Sequence, residues 1–491
     1  MSQNQQLYQY LYQTITSQIY NGTFIYGQEF PSQHEICLQY NVGITTVRKV
    51  MKILAEEGFI HTAQGQPSVV AYRISRENQA AFLVQSRDEI ADAYQGLGLL
   101  MPVLYREGAK RCNASDLRYF EHILNSVSEQ MELKEHYRLA NAFFTEILRP
   151  LKNKLIIDLE LDSENYLHVP YLSFPGVDNP FATTAVRTET WFKNAVYQIE
   201  QKQFDDFCDG ASELYYASGQ RVDSYLYALD KYTEGTPKKK EEFRWFRAKV
   251  HSELYARLAM TIVRRIIAGE FDNEPYLPSI PKLMEEYKIT KNTARRVINL
   301  LNALGIARTI DKKGSVITLK GDIAFKSELN LMEPIIQERL SLFLDALQIV
   351  ALTAHSCASS ITFIPDNLGS SMEKRLRTAS DSRMCPLSFQ LLINAFIQLL
   401  PYHSLKNIFR QLDDLLIWGH YMQAIDKSFY PDFSNMAPTM DAVVAALKDQ
   451  RSDALPDAFR NAFSLVYQNV CGVFSKYPIN PTFLLCCFPD K

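Results

Sequence analysis

An internal repeat constrains the fold of this chain more than any other feature. Leu7-Tyr8 is matched by Leu254-Tyr255, an offset of 247 residues, and the offset holds without a gap as far as residue 60. Of the 54 positions from 7 to 60, 16 are identical in the second copy, where chance would give only a few. A weaker echo pairs Asp92-Ala93 with Asp345-Ala346 at an offset of 253. The 491 residues are therefore two copies of one unit.

The first 75 residues or so of each copy are predicted to form three helices and a hairpin. Four apolar residues at four-residue spacing share one face of the first helix: Leu7, Leu11, Ile15 and Ile19. Ser32 and Glu35 form a capping-box signature that opens the second helix, and Gly43 precedes the third. The segment 59–70, with Gly65 at its turn, is typical of two short strands. This order predicts a winged helix-turn-helix, whose third helix can enter the DNA major groove.

The remainder of each copy is predicted to be helical, because apolar residues recur there at helical spacing, as in the stripe from Leu340 to Ala351. The predicted fold class is mainly α. It consists of two winged helix-turn-helix domains, each α with a small β wing and each followed by an all-helical, effector-like bundle. The predicted boundaries are 1–75 and 248–320 for the winged domains, 76–232 and 321–491 for the helical domains, and 233–247 for the linker.

Composition excludes several classes of protein. The net charge is −3, from 52 basic and 55 acidic residues, so any surface for nucleic acid must be local. The apolar runs are shorter than the ~20 residues that span a bilayer, and the amino terminus lacks a leader pattern, so we expect a cytoplasmic protein without membrane contact. None of the 8 cysteines has zinc spacing, and no Walker loop or nucleophile elbow occurs, so no enzyme is predicted.

The motifs of the predicted winged domains resemble the GntR family of bacterial transcription regulators. In copy one they are Phe30-Pro31-Ser32, Thr46-Val47-Arg48 and the run from Leu54 to Gly58. In copy two they are Leu277-Pro278-Ser279, Thr293-Ala294-Arg295 and the run from Leu301 to Gly305. The resemblance covers about 65 residues per copy and implies that double-stranded DNA is the partner.

The resemblance also implies which residues contact DNA. In copy one the candidates are His34, Thr45, Thr46, Arg48, Lys49, Gln64, Gly65 and Gln66. In copy two they are Thr290, Lys291, Asn292, Thr293, Arg295, Arg296, Lys312, Lys313 and Gly314. Both copies depart from the family pattern. His34 and Pro281 replace an Arg in the second helix, while Gly43-Ile44 and Thr290-Lys291 replace a Ser-Arg pair. Two unequal half-sites are therefore expected.

The helical parts resemble the FCD type of effector domain, found in the fatty-acid-responsive branch of the family, through Asn141-Ala142-Phe143 and Asn394-Ala395-Phe396. In that type an Asp and three His can hold a metal. Four of the corresponding positions carry no metal-binding side chain: Ala140, Phe144, Ile393 and Ile397. We therefore expect neither metal nor cofactor. Four residues are ligand candidates by type alone: Tyr137, Arg138, Arg187 and Arg410.

These observations predict a transcription regulator in which one chain supplies two DNA-binding winged helix-turn-helix domains, arranged as an intramolecular pseudo-dimer. Further homodimerisation and control by a small organic effector stay open, and the helical halves could instead serve as dimerisation scaffolds. Two other classes of protein are alternatives. One is a winged-helix scaffold that binds only protein partners, and the other is an enzyme hidden in the helical halves.

Overall fold

The computed structural model describes most of the chain and is mainly helical, with two small antiparallel hairpins. The described residues are 3–63, 65–127, 133–180, 184–233, 245, 254–267, 270–271, 274–303, 306–317, 334–381, 385–416, 418–419 and 433–475. Almost all of the predicted linker, 233–247, lies outside them.

The first winged helix-turn-helix, called head 1, follows the predicted order of elements. Its elements are α1 (Gln3–Tyr20), α2 (Gln33–Tyr40), α3 (Ile44–Glu56), β1 (Ile60–His61) and β2 (Val69–Val70). Strands β1 and β2 are antiparallel, with Ile60 opposite Val70. Its core combines the four-residue stripe of α1 with the inner face of α3, including Leu11, Ile15, Val47, Val50 and Leu54.

The second winged helix-turn-helix, called head 2, repeats head 1. Its elements are α11 (Leu254–Ile267), α12 (Ile280–Tyr287), α13 (Lys291–Ala303), β3 (Ala307–Ile310) and β4 (Gly314–Ile317). Ser32 and Ser279, at matching positions, cap α2 and α12. Asn41 and Lys288, again 247 residues apart, end those helices in the left-handed conformation. The repeat of the sequence is therefore a repeat of local geometry, and the predicted fold class is confirmed.

The described residues of the first helical part form seven α-helices. They are α4 (Arg76–Gln85), α5 (Arg87–Ala109), α6 (Ala114–Ser126), α7 (Leu133–Leu148), α8 (Lys154–Leu167), α9 (Thr184–Glu200) and α10 (Phe204–Leu229). Helix α5 approaches α7 closely at Gly108, where a Cβ atom would lie 2.0 Å from the carbonyl oxygen of Ile147. No larger residue fits at that crossing without a shift of the backbone.

The described helices of the second helical part are α14 (Pro334–Ala358), α15 (Leu368–Asp381), α16 (Cys385–Leu399), α17 (His403–Leu416), α18 (Phe433–Lys448) and α19 (Leu455–Phe474). Within α14, the segment Gln337–Ala358 is long and apolar enough to cross a membrane, so the expectation that every apolar run is too short to span a bilayer was wrong. However, 78% of its most apolar window is buried inside the protein, and it carries the buried polar residues Asp345 and Gln348. Both features are typical of a core helix.

The chain divides into two compact units that do not follow the linear order of the domains. The first consists of Met1–His251, Leu352–Ile364 and Phe396–Arg410. The second consists of Ser252–Ala351, Pro365–Ala395 and Gln411–Lys491. Two segments of the second helical part thus belong to the same unit as head 1 and the first helical part. The domain boundaries expected from the sequence stay a prediction.

Candidate nucleic-acid interface

The start of the third helix differs between the two heads. In head 1, Gly43 is the N-cap and makes no side-chain capping bond, and Ile44 is 40% exposed although it is apolar. In head 2, the Thr290 hydroxyl accepts a hydrogen bond from the backbone N–H of Thr293 at 3.2 Å. Lys291 and Asn292 follow it on the exposed surface. The first turn of the third helix, the recognition helix, is therefore apolar at its exposed surface in head 1 (α3) and cationic in head 2 (α13).

Each recognition helix is fixed to the first helix of its head by a cation–π contact. The Lys49 ammonium lies 3.6 Å from the centre of the Tyr8 ring, and the Arg296 guanidinium lies 4.0 Å from that of Tyr255. The two pairs occupy identical positions in the repeat. Such a contact stabilises an exposed pair by about 0.5–1 kcal/mol. The structure thus engages Lys49 and Arg296, both predicted to contact DNA, in holding the helix in place.

Arg48 and Arg295, which precede Lys49 and Arg296, do not stack on these tyrosine rings. In head 1, the Arg48 Nε donates to Gln33 Oε1 at 3.2 Å, so that α3 is linked to the start of α2. In head 2, Arg295 is exposed and its guanidinium makes no hydrogen bond or ion pair with the described part of the chain. An exposed guanidinium at this point of a recognition helix can grip guanine O6 and N7 or a phosphate. Arg295 is ready for such a contact, whereas Arg48 must first leave Gln33.

The remaining candidates of head 1 lie on the same exposed side or at the wing. His34 and Thr45 are exposed, and Thr46 is half-buried. Gly65 has φ +76°, a conformation that favours glycine, and this allows the tight turn of the wing. Gln66 beside it is exposed, while Gln64 lies outside the described residues. The wing of head 1 therefore presents uncharged groups to a nucleic acid.

The wing of head 2 has longer strands than that of head 1, and its turn is cationic. Its turn contains Lys312 at φ +60° and Gly314 at φ +111°, with exposed Lys313 between them. Hydrogen bonds hold the hairpin close to its turn: Asn302 donates to the Thr309 hydroxyl at 2.7 Å, and that hydroxyl lies 2.8 Å from the Ser315 hydroxyl on the opposite strand. The hairpin thus projects two ammonium groups from a braced support, as a contact to the phosphate backbone requires.

Formal charge also separates the heads. Residues 1–75 carry four basic and four acidic side chains, whereas the matching residues 248–322 carry thirteen and eight. Not every basic side chain of head 2 is available to DNA. The Arg265 guanidinium pairs with Glu270 at 2.6 Å and with Glu286 at 2.5 Å. The net difference of five charges already counts these two acids, so the exposed Lys291, Arg295, Lys312 and Lys313 are the cations that head 2 offers to DNA.

The ligand candidates named from sequence do not form one site. Tyr137 is half-buried on α7, but Arg138 one residue later is exposed and pairs with Glu135 at 2.5 Å. Arg410 is exposed on α17. Arg187 falls in α9, and its side chain lies outside the described residues. The described residues contain no group of three or more His, Cys, Asp or Glu side chains that could hold a metal ion.

Comparison with known proteins places both heads in one family. Residues 7–70 and 254–317 each match the family described as "Bacterial regulatory proteins, gntR family". These two ranges agree closely with α1 to β2 and with α11 to β4. The match confirms that the DNA-binding domain occurs twice; it does not extend to the helical parts, and their likeness to the FCD type stays a proposal.

Relatives with curated descriptions match over stretches about as long as one head. The HTH-type transcriptional regulator TreR of Bacillus subtilis (strain 168) is 33% identical over 78 residues, which is 16% of this chain and 33% of the relative. A probable fructoselysine utilization operon transcriptional repressor of Escherichia coli (strain K12) is 34% identical over 67 residues, 14% of this chain and 28% of the relative. This chain therefore spans about a third of the length of the relatives it matches.

Among solved structures, that of Streptococcus agalactiae GntR is 14% identical. The alignment covers 43% of this chain and 99% of that one, with a TM-score of 0.22. A TM-score this low supports no conclusion about the fold.

Proposed function

We propose that this chain, which carries the GntR-family winged helix-turn-helix domain twice, is a transcription regulator that binds one DNA site with both heads. The observation that carries the proposal is the preserved geometry of the two recognition helices, each fixed by the same cation–π pair and each leaving its leading residues exposed. This shared geometry supports DNA contact by both heads. The proposal includes action on the chromosome, in the cytoplasm.

The second element of the proposal is an intramolecular pseudo-dimer. The backbone N–H groups of His403 and Ser404, at the start of α17, both donate to the Asp92 carboxylate at 2.8 Å. Gly96, one turn further along α5, has no Cβ, and a Cβ there would lie 2.3 Å from the Ser404 Oγ. These contacts lie within the first compact unit, which already contains segments of both helical parts. They support pairing of the helical parts within one chain.

The third element is regulation through the first helical part. Head 1 hydrogen-bonds helix α8 at three points. Asn41 donates to Asp158, Tyr10 donates to Asp162 at 2.7 Å, and Gln39 donates to Asn165 at 3.0 Å. Because these bonds fix head 1 on one helix of the bundle, a small effector that shifts α8 would also shift head 1. This connection supports an effector role for the first helical part.

DNA retention at graded salt concentration tests the proposal. The expected result is retention of genomic fragments with an affinity that falls steeply with salt, since each phosphate contact contributes about −0.9 to the slope of log affinity against log salt. Footprints on the retained fragments are expected to show two unequal half-sites. Absence of salt-dependent retention would instead favour a scaffold that binds only protein.

A further inference from the structure

The first residue of the recognition helix differs in chemistry between the two heads. Ile44 begins α3 and Lys291 begins α13, and the two are 247 residues apart, at the same position of the repeat. Ile44 is 40% exposed and lies outside the hydrophobic core of head 1. Lys291 is exposed and makes no hydrogen bond or ion pair with the described part of the chain. Each head therefore leaves this side chain available to a partner.

The helix face that carries this position is otherwise similar in the two heads. Four residues further along each helix, and hence on the same face, lies an exposed arginine, Arg48 in head 1 and Arg295 in head 2. The threonine two residues after the start, Thr46 or Thr293, is also shared. This face thus keeps its arginine and changes its leading side chain from a branched hydrocarbon to an ammonium.

The two recognition helices are also held in the same way on their heads. Lys49 lies over the Tyr8 ring in head 1, and Arg296 lies over the Tyr255 ring in head 2. In a helix-turn-helix the N-terminal residues of the recognition helix contact base edges in the major groove. Because the two helices are held alike, their first residues are expected to meet corresponding base pairs in the two half-sites.

The residue before Ile44 leaves room for such a contact. Gly43 has φ −71°, a value open to any residue, and a Cβ atom there would meet no other atom within 4 Å. Packing within head 1 therefore does not require glycine at this position. The missing side chain removes bulk on the solvent side of the helix start, where it allows a base edge to approach Ile44 closely.

Isoleucine and lysine suit different base pairs in the major groove. Thymine presents a C5-methyl group there, which apolar side chains contact, whereas guanine presents the acceptors O6 and N7, to which a lysine ammonium can donate. The Ile44 side chain has neither donor nor acceptor, so it can recognise a base only through apolar contact. The chemistry therefore favours a T·A pair for Ile44 and a G·C pair for Lys291.

We propose that Ile44 contacts the methyl group of a thymine and that Lys291 donates to a guanine at the corresponding position of the other half-site. The proposal rests on the binding of one DNA site by both heads, as proposed above. It names the base pair at which the two half-sites differ.

Selection of random-sequence duplexes by the full chain is the first test. The enriched sites are expected to contain two half-sites, with T·A at one position of the first and G·C at the corresponding position of the second. Ile44→Lys should convert that T·A pair into G·C, and Lys291→Ile should convert the G·C pair into T·A. Lys448→Ala, which alters a lysine of α18 paired with Glu373, should leave both pairs unchanged.

Base analogues in the enriched duplex then test the atoms in contact at head 1. Deoxyuridine in place of the thymine removes only the methyl group and should weaken binding of the full chain about fourfold, the contribution of one buried methyl group. Ile44→Ala should bind the thymine and deoxyuridine duplexes equally, because the side chain that contacts the methyl group is gone.

A second pair of analogues tests the contact at head 2. 7-Deazaguanine in place of the guanine removes the N7 acceptor and should weaken binding about fivefold to tenfold. Hypoxanthine keeps O6 and N7 and lacks only the minor-groove amino group, so it should leave affinity unchanged. In Lys291→Ala the effect of 7-deazaguanine should disappear.

The variants are expected to fold, since both positions lie on the surface and head 2 already accepts lysine at the start of its helix. Equal selection of all base pairs at these positions, unchanged preferences in Ile44→Lys and Lys291→Ile, or equal binding of the deoxyuridine duplex would each overturn the proposal. So would enrichment of a single half-site that depends on Lys291 alone, because head 1 would then serve another partner. Enriched duplexes without these preferences would refute this inference alone, whereas no enrichment of any duplex would refute the proposed function and this inference with it.

Discussion

Replacing Arg295 with alanine is expected to weaken DNA binding by about 5- to 150-fold, and replacing Arg48 should weaken it less. An arginine that reads a base contributes about 1–3 kcal/mol to binding. The Arg295 guanidinium is exposed and makes no hydrogen bond or ion pair with the described part of the chain, whereas Arg48 donates to Gln33 at 3.2 Å and loses that bond on contacting DNA. Binding isotherms of the two variants on the natural site make the comparison.

The same asymmetry should appear in the salt dependence. Substituting Lys312 and Lys313 together by alanine removes both ammonium groups of the second wing and should flatten the slope of log affinity against log salt by about one to two. Lys448→Ala is the matched control, because Lys448 lies on α18 and pairs with Glu373 at 3.0 Å. An unchanged slope in the double variant would contradict this prediction. A larger loss of DNA affinity from Arg48→Ala than from Arg295→Ala would also contradict it, because head 1 would then contribute more to binding than head 2.

Replacing Gly108 with alanine should destabilise the first compact unit by about 3 kcal/mol, which is at the upper end for an overpacked core. The added Cβ would lie 2.0 Å from the Ile147 carbonyl oxygen, a backbone atom that cannot turn away as a flexible side chain does. Helices α5 and α7 would have to separate. Denaturant unfolding followed by circular dichroism measures the change.

Gly210 in α10 provides the control in the same unit. Its added Cβ would lie 3.8 Å from the Trp191 Nε1, an ordinary contact distance. Alanine there should be neutral or should stabilise the helix by up to about 1 kcal/mol, because glycine is a poor helix former. Equal effects of the two substitutions would contradict the close crossing of α5 and α7.

The elements of the heads could be predicted from sequence because local signals determine them. The four-residue stripe of α1, the capping box at Ser32 and Glu35, and the glycine-marked hairpin each act over a few residues. Because the sequence repeats at an offset of 247 residues, the same helices and strands could be predicted for head 2. The left-handed residues at the ends of α2 and α12, Asn41 and Lys288, share a position although they differ in type.

Contacts made across the fold were not predictable in the same way. Lys49 and Arg296 were predicted as DNA contacts, and the structure places both over tyrosine rings of the preceding first helix. A signal for this did exist, because Tyr8 and Tyr255 are identical and a basic residue stands at the matching position in both copies.

The carboxylates of α8 gave no such signal. Acidic residues alternate along it at 158, 160, 162 and 164, a pattern that resembles a solvated charge run. Only the packing of α5, α7 and α10 around α8 shows that Glu160 is buried and that Asp158 and Asp162 hold head 1. Sequence periodicity reports which face is apolar, but it does not report which polar groups a neighbouring helix will cover.

The stoichiometry of the DNA complex tests most directly the claim that one chain supplies both heads. Native mass spectrometry of the full chain with its footprinted duplex measures this number. We expect one chain of 56.4 kDa per duplex, occupying two half-sites of unequal sequence. Two chains on a symmetric palindrome, each bound through the same head, would contradict the account.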